Sequence, residues 1–324
     1  MEHEVVVSLP GSVLDHESFD EAILPQLNLL QLEHQRGNLV LDKVSVDLGN
    51  LGRASPYGIL GITLVCEILY EMLGRKVDLV LPRFVRERGK DLLNFKWKYP
   101  SFGILIRRVA NVKNGSAAIS GKQNPILLPI VKIESWEDVR DLIAELQEKF
   151  CPFWVQVLNY STQRTIQFLT VLSELCQNIL YHSTEEGRIH GYLTVQVHHN
   201  GENSGIEFAV VDSGIGIPTS LRSSSHLLVR YQSRSNGDMQ TIRLACNPNI
   251  SSKERGGLGL YMVRQTLEKT GGILYIRSGN AKVIFGDGGQ GRRKPLKDPT
   301  HFIGTQIGGL LWKGARSESQ DLLV

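Results

Sequence analysis

Phe208-Ala209-Val210-Val211-Asp212-Ser213-Gly214-Ile215-Gly216-Ile217-Pro218 is an apolar strand that runs straight into a glycine turn, with a carboxylate at the junction. A carboxylate at a strand's end can accept a hydrogen bond from an exocyclic amine such as adenine's. The glycines let the backbone pass close to a flat base. The same letters also suit a plain turn opened by an aspartate. What decides between the two readings is what lies on either side.

Upstream, Thr162 to His182 reads as a helix carrying Glu174-Leu175-Cys176-Gln177-Asn178. Glu174 and Asn178 are i and i+4 and share one helix face. An amide oxygen beside a carboxylate offers the hard oxygen ligand and water-orienting group that magnesium with a polyphosphate requires. Between this helix and Asp212, Ile189 to His199 and Gly205 to Asp212 read as strands. Downstream, Gly256-Gly257-Leu258-Gly259-Leu260 opens a helix running to Thr270. Backbone N–H groups at such a helix start attract anions. The pattern closes with a hairpin-like pair, Ile273 to Arg277 and Lys282 to Phe285, and a strand from Phe302 to Trp312. Ser213 to Arg255 is expected to be a long polar loop of the kind that serves as a lid.

In this order the segments resemble the N, G1 and G2 boxes of the GHKL ATPases, the fold of histidine kinases, anti-sigma factor kinases, gyrase B, MutL and one class of heat-shock chaperone. The matching residues are Glu174 and Asn178, then Asp212, Gly214 and Gly216, then Gly257 and Gly259. Thr305 after Gly304 resembles the family's threonine near the adenine aspartate, and His182 is placed to line the site. The resemblance covers residues 160 to 313. It implies a two-layer α/β sandwich of mixed sheet and helices that binds ATP with Mg2+, Asn178 as the metal ligand, Glu174 as the catalytic residue, and the glycines on the phosphates. It also implies an ATP-dependent protein kinase of the anti-sigma factor type. A non-catalytic ATP-ordered switch and a slow ATPase need the same residues and stay open. Neither a Walker A loop nor a complete Rossmann glycine fingerprint occurs in the chain.

The N-terminal half alternates strand and helix. Val5 to Leu9, Leu39 to Leu48 and Val77 to Leu81 read as strands, and Ser18 to Leu32 as a helix. Ser55-Pro56 opens a second helix that Gly74 stops after Leu73. Alternation of this kind predicts an α/β layer with a parallel or mixed sheet. Val46-Asp47-Leu48 followed by Ser55-Pro56-Tyr57-Gly58 resembles the signature loop of STAS domains. Tyr57 stands where phosphorylated members carry their acceptor serine, and Ser55 reads as a helix cap. Ile126 to Ile133 is a further strand, and Ser135-x-x-Asp138 a capping box for a helix to about Phe150. The expected division is residues 1–150 as a STAS-like, partner-binding domain, 151–316 as the ATP-binding domain, with the break at Cys151-Pro152, and 317–324 as a loose tail.

A hydrophobic fraction of 41%, 21% charged residues and a net charge of +3 describe an ordinary folded protein with no pull towards polyanions. Four widely spaced cysteines disfavour zinc sites and disulfide scaffolds. The acidic N-terminus lacks the form of a secretory signal, and Tyr57 to Leu73 contains Glu67 and Glu71, which suits a buried helix better than a membrane span. Cytoplasmic location without membrane contact is the expectation. Arg83, Arg86, Arg88, Lys90, Lys96, Lys98, Arg107, Arg108 and Lys113, interleaved with Phe95, Trp97 and Tyr99, read as a solvated or protein-docking segment before a nucleic-acid contact.

Overall fold

The computed structural model describes residues 4–37, 43–82, 102–113, 127–158, 160–183, 191–198, 205–251, 259–286 and 300–312. The N-terminal half runs β1 (Glu4–Ser8), β2 (Val13–Leu14), α1 (His16–Ser18), a π turn (Phe19–Ile23), α2 (Leu24–Gln35), β3 (Lys43–Asp47), β4 (Arg53–Ala54), α3 (Pro56–Leu73), β5 (Val77–Val80), α4 (Phe102–Ile106) and β6 (Ala110–Lys113). Among the described residues, β1, β3, β5 and β6 form a parallel sheet in that order. Each crossover steps to the next strand in the same direction, so right-handed connections put α2 and α3 on one face. The opposite face carries a polar row in which Lys43 reaches Glu4 at 2.9 Å and Asp78 at 3.5 Å, and Lys113 reaches Asp78 at 3.6 Å.

The chain continues with β7 (Leu127–Lys132), α5 (Trp136–Glu145), a π turn (Leu146–Phe150), α6 (Cys151–Leu158), α7 (Thr162–Ser183), β8 (Gly191–His198), β9 (Gly205–Asp212), α8 (Gly216–Arg222), α9 (Leu227–Arg234), α10 (Asp238–Ala245), α11 (Gly259–Lys269), β10 (Ile273–Gly279), β11 (Ala281–Phe285) and β12 (Phe302–Trp312). Among the described residues, six strands pair in the order β11-β10-β12-β9-β8-β7. Every pairing is antiparallel, so the expected mixed sheet is corrected to an antiparallel one. The capping box at Ser135 is present, with Ser135 Oγ accepting from Asp138 N. Although β7 and α5 precede the expected break at Cys151-Pro152, β7 is bonded to β8. Leu128, Val139 and Leu142 sit in the same core as Leu172, Leu193 and Phe208.

The two halves share a wall. Helix α3 is capped by Ser55 Oγ, which accepts from Gly58 N at 3.1 Å, and is buried on nearly all sides. It is long and apolar enough to cross a membrane, yet 72% of that stretch is buried inside the protein. One side meets the parallel sheet, and the other packs on β9, β8 and β12. The antiparallel sheet therefore has helices on both faces, α3 on one and α7 and α11 on the other. The antiparallel sheet with α7 and α11 makes two layers, and α3 with the parallel sheet adds two more from the N-terminal half.

Buried polar groups at this shared wall pair with one another. Tyr192 donates to Glu67. Lys282 Nζ donates to Asp20 Oδ2 at 2.6 Å and to His16 O at 2.7 Å, and lies 2.9 Å from His16 Nδ1. Arg277 Nε stands 3.7 Å from Asp20 Oδ1. Burial pushes Asp20 up and Lys282 and Arg277 down, while attraction between them opposes both shifts. Burial, reinforced by Lys282, lowers His16 to about 3. His16 is therefore neutral, and its Nδ1 accepts from Lys282.

Candidate functional site

Asp212 ends β9 with its side chain on the face of the antiparallel sheet that α7 and α11 cover, and is 8% exposed. Its carboxylate accepts from Gly214 N at 2.8 Å and from the Thr305 backbone. Burial outweighs both bonds and raises its pKa to about 7. The register explains the neighbours: Asp212 faces Thr305 on β12, and Thr305 faces Ser278 on β10. Cross-strand partners share a face, so these three side chains form one row.

The glycine turn is tied to this row. Gly216 has φ +76, and a Cβ there would lie 2.8 Å from Ser278 Oγ and 3.0 Å from Gly304 O. Gly304 has φ +85, and a Cβ would lie 2.0 Å from Asp212 O. Both positions need glycine for backbone conformation and for space. Ser278 Oγ accepts from Ile217 N at 2.9 Å and donates to Gly304 O at 2.8 Å. Ser278 was not singled out by the sequence. The serine before Gly279-Asn280, at the end of a strand, was its only local sign.

Glu174 and Asn178 occupy the half-buried face of α7, while Leu175, Cys176 and Ile179 are buried in the core. Helix α11 packs on α7. At its first residue, Gly259, a Cβ would lie 2.8 Å from Glu174 Oε2, so the start of α11 abuts the Glu174 carboxylate. Thus Asp212, Gly214, Gly216 and Thr305 form one group, and Glu174 and Gly259 another. The two lie on elements that pack together, since α7 also packs on β9. His182 is in the last turn of α7. Its side chain and the whole of Gly257 lie outside the described residues. Among the described residues no three His, Cys, Asp or Glu side chains gather as a metal cluster.

The expected long loop from Ser213 to Arg255 is corrected for its larger part: residues 216–245 form the three helices α8, α9 and α10. Leu221, Val229 and Ala245 are buried together. Ser233 and Thr241, polar in sequence, are wholly buried and donate to Arg230 O and Gly237 O. Arg222 Nη2 meets Asp238 Oδ1 at 2.7 Å, and Asp238 Oδ2 accepts from Asn280 N at 2.8 Å. The helices are thereby latched to the β10–β11 turn beside Ser278. Residues 252–258 lie outside the described residues.

Of the basic stretch, Arg107, Arg108 and Lys113 are described, and the positions from Arg83 to Lys98 lie outside.

No curated protein matches the chain. Residues 163–293 match the family model described as histidine kinase-, DNA gyrase B-, and HSP90-like ATPase. That segment runs from the start of α7 past β11, with Thr305 on β12 beyond it. The part of the chain holding Glu174, Asn178, Asp212 and Gly259 thus carries the sequence pattern of a GHKL-type, nucleotide-binding ATPase domain.

Proposed function

We propose that the protein binds ATP with magnesium between the end of β9, α7 and the start of α11, and that it transfers the γ-phosphoryl group to a hydroxyl of a partner protein. The observation that carries the reading is Asp212, a buried carboxylate whose pKa burial lifts to about 7. An exocyclic amine arriving there would relieve the cost of ionising it. The residues present fit the nucleotide. The amides of Gly257 and Gly259 would hold phosphates at a helix start, and the Asn178 amide oxygen would ligate the metal. Bound magnesium supplies charge neutralisation on the phosphates. Glu174, beside Gly259, would polarise the incoming hydroxyl. A kinase of the anti-sigma factor type in the cytoplasm, with the STAS-like N-terminal half receiving the partner, is the form this reading takes.

A second reading is a nucleotide-dependent switch. It is favoured by the contact of α3 with β9 and β12, the two strands that carry Asp212 and Thr305. One experiment separates the readings: incubate the protein with γ-labelled ATP and with candidate partners. Label on a partner supports the kinase, free labelled phosphate an ATPase, and tight binding without turnover the switch. Absence of ATP binding overturns all three.

A further inference from the structure

Resting on the ATP-binding reading, we infer that Ser278 is a specificity-determining residue. It fixes the Thr305 hydroxyl as a hydrogen-bond acceptor beside Asp212, so that the site takes a purine with an amino group at C6 and rejects one with a carbonyl there. The argument is a count of protons. A serine hydroxyl has one proton to give and two lone pairs to receive. Ser278 Oγ lies 2.8 Å from Gly304 O, and a carbonyl cannot donate, so the serine proton is committed there. One lone pair receives Ile217 N–H at 2.9 Å. The remaining neighbour is Thr305 Oγ1 at 3.2 Å. With the serine proton spent, this contact forms only if Thr305 donates and Ser278 accepts. Ser278 is 0% exposed and then fully bonded.

The Thr305 hydroxyl, its proton directed at Ser278, has lone pairs alone to offer elsewhere. Its cross-strand partner Asp212 is acceptor-only when ionised. The row therefore presents two acceptors side by side. A 6-amino group brings two N–H donors to them. A 6-carbonyl brings a third acceptor, and burial at 8–9% exposure leaves little water to intervene.

The test is titration calorimetry at a pH of about 8, with Asp212 ionised, of adenosine and of inosine, which carries a carbonyl at C6. Wild type, Ser278→Ala and the volume-conserving Ser278→Cys are compared. Wild type is expected to favour adenosine. The alanine variant should lower the adenosine-to-inosine affinity ratio about tenfold, one neutral hydrogen-bond constraint, and the cysteine variant should fall between. Equal weakening of both nucleosides, with the ratio intact, would show a merely structural serine and overturn the inference. If Ser278→Ala does not fold, the cysteine variant is read by the same ratio. Wild type binding neither nucleoside would instead overturn the ATP-binding reading beneath it.

Discussion

The side-chain amide of Gln306 donates to the carbonyl of Tyr57 at 2.6 Å. Gln306 follows Thr305 on β12, and Tyr57 sits in the first turn of α3. Adjacent strand residues face opposite sides of a sheet. The strand that presents Thr305 beside Asp212 is therefore bolted, one residue along, to the N-terminal layer. Arg277 and Ser278 repeat the arrangement on β10, with Arg277 facing Asp20 and Ser278 facing Thr305.

Because α3 belongs to the cores on both of its sides, the two halves should unfold together. Scanning calorimetry is expected to give one cooperative transition. Gln306→Ala should lower its stability by about 1–3 kcal/mol, the cost of a lost buried hydrogen bond. Two resolved transitions in the wild type would show that the halves are independent.

The Asp20 carboxylate lies between Lys282 and Arg277. Removing its charge leaves two buried cations facing each other. Asp20→Asn is expected to cost roughly 3–5 kcal/mol, as for a broken buried ion pair. Denaturant melts with an unchanged midpoint would mean that the cations find other partners.

On the proposed reading, Asp212 should make nucleotide binding depend on pH. Its folded pKa of about 7 lies above the ordinary 3.8, so the fold favours the protonated form, and the ligand-free protein should lose stability as pH rises from about 4 to about 7. The ionised form is the stronger acceptor for the proposed adenine amine. ATP affinity should therefore rise about tenfold between pH values of about 6 and 8, the change in ionised fraction for one group titrating near 7. Asp212→Asn should lose roughly 10- to 150-fold in affinity, equivalent to about 1.5–3 kcal/mol, and should lose this pH dependence. A wild-type profile in the variant would remove the adenine assignment.

Asn178→Ala should separate metal from base. Magnesium is expected to stop tightening ATP binding, while adenosine binds as before. An undiminished magnesium effect in titrations of the variant would reduce Asn178 to a residue of the helix face.

The latch of Arg222 on Asp238 should protect α8 to α10. Trypsin is expected to spare Arg222 and Arg234 with or without ATP. Asp238→Ala, which removes the carboxylate that Arg222 and the Asn280 amide share, should expose both sites. Rapid cleavage of the wild type at Arg222 would show that these helices do not hold in solution.

Much of this protein is written locally. Ser55-Pro56 and Gly74 set both ends of α3, Ser135 and Asp138 build their box, and the strand into Asp212 ends where its apolar run ends. Such signals are legible because caps, turns and periodicity act over three or four residues. The order of Glu174, Asn178, Asp212 and the glycines is likewise a property of the chain.

Register and packing decided what remained. Ser278 matters because β10 pairs with β12 so that it faces Thr305, and a slip of one residue would turn it to the opposite face. Ser233 and Thr241 look like loop residues until Ile242 and Val229 bury beside them and their hydroxyls meet helical carbonyls. Asp20 and Lys282 are 262 residues apart, and a charge at either end predicts solvent until the fold closes over both. Caps and motifs state their energies within a few neighbours. Buried charge, hydroxyl polarity and a helix shared by two sheets acquire theirs from groups that only the tertiary structure brings within reach.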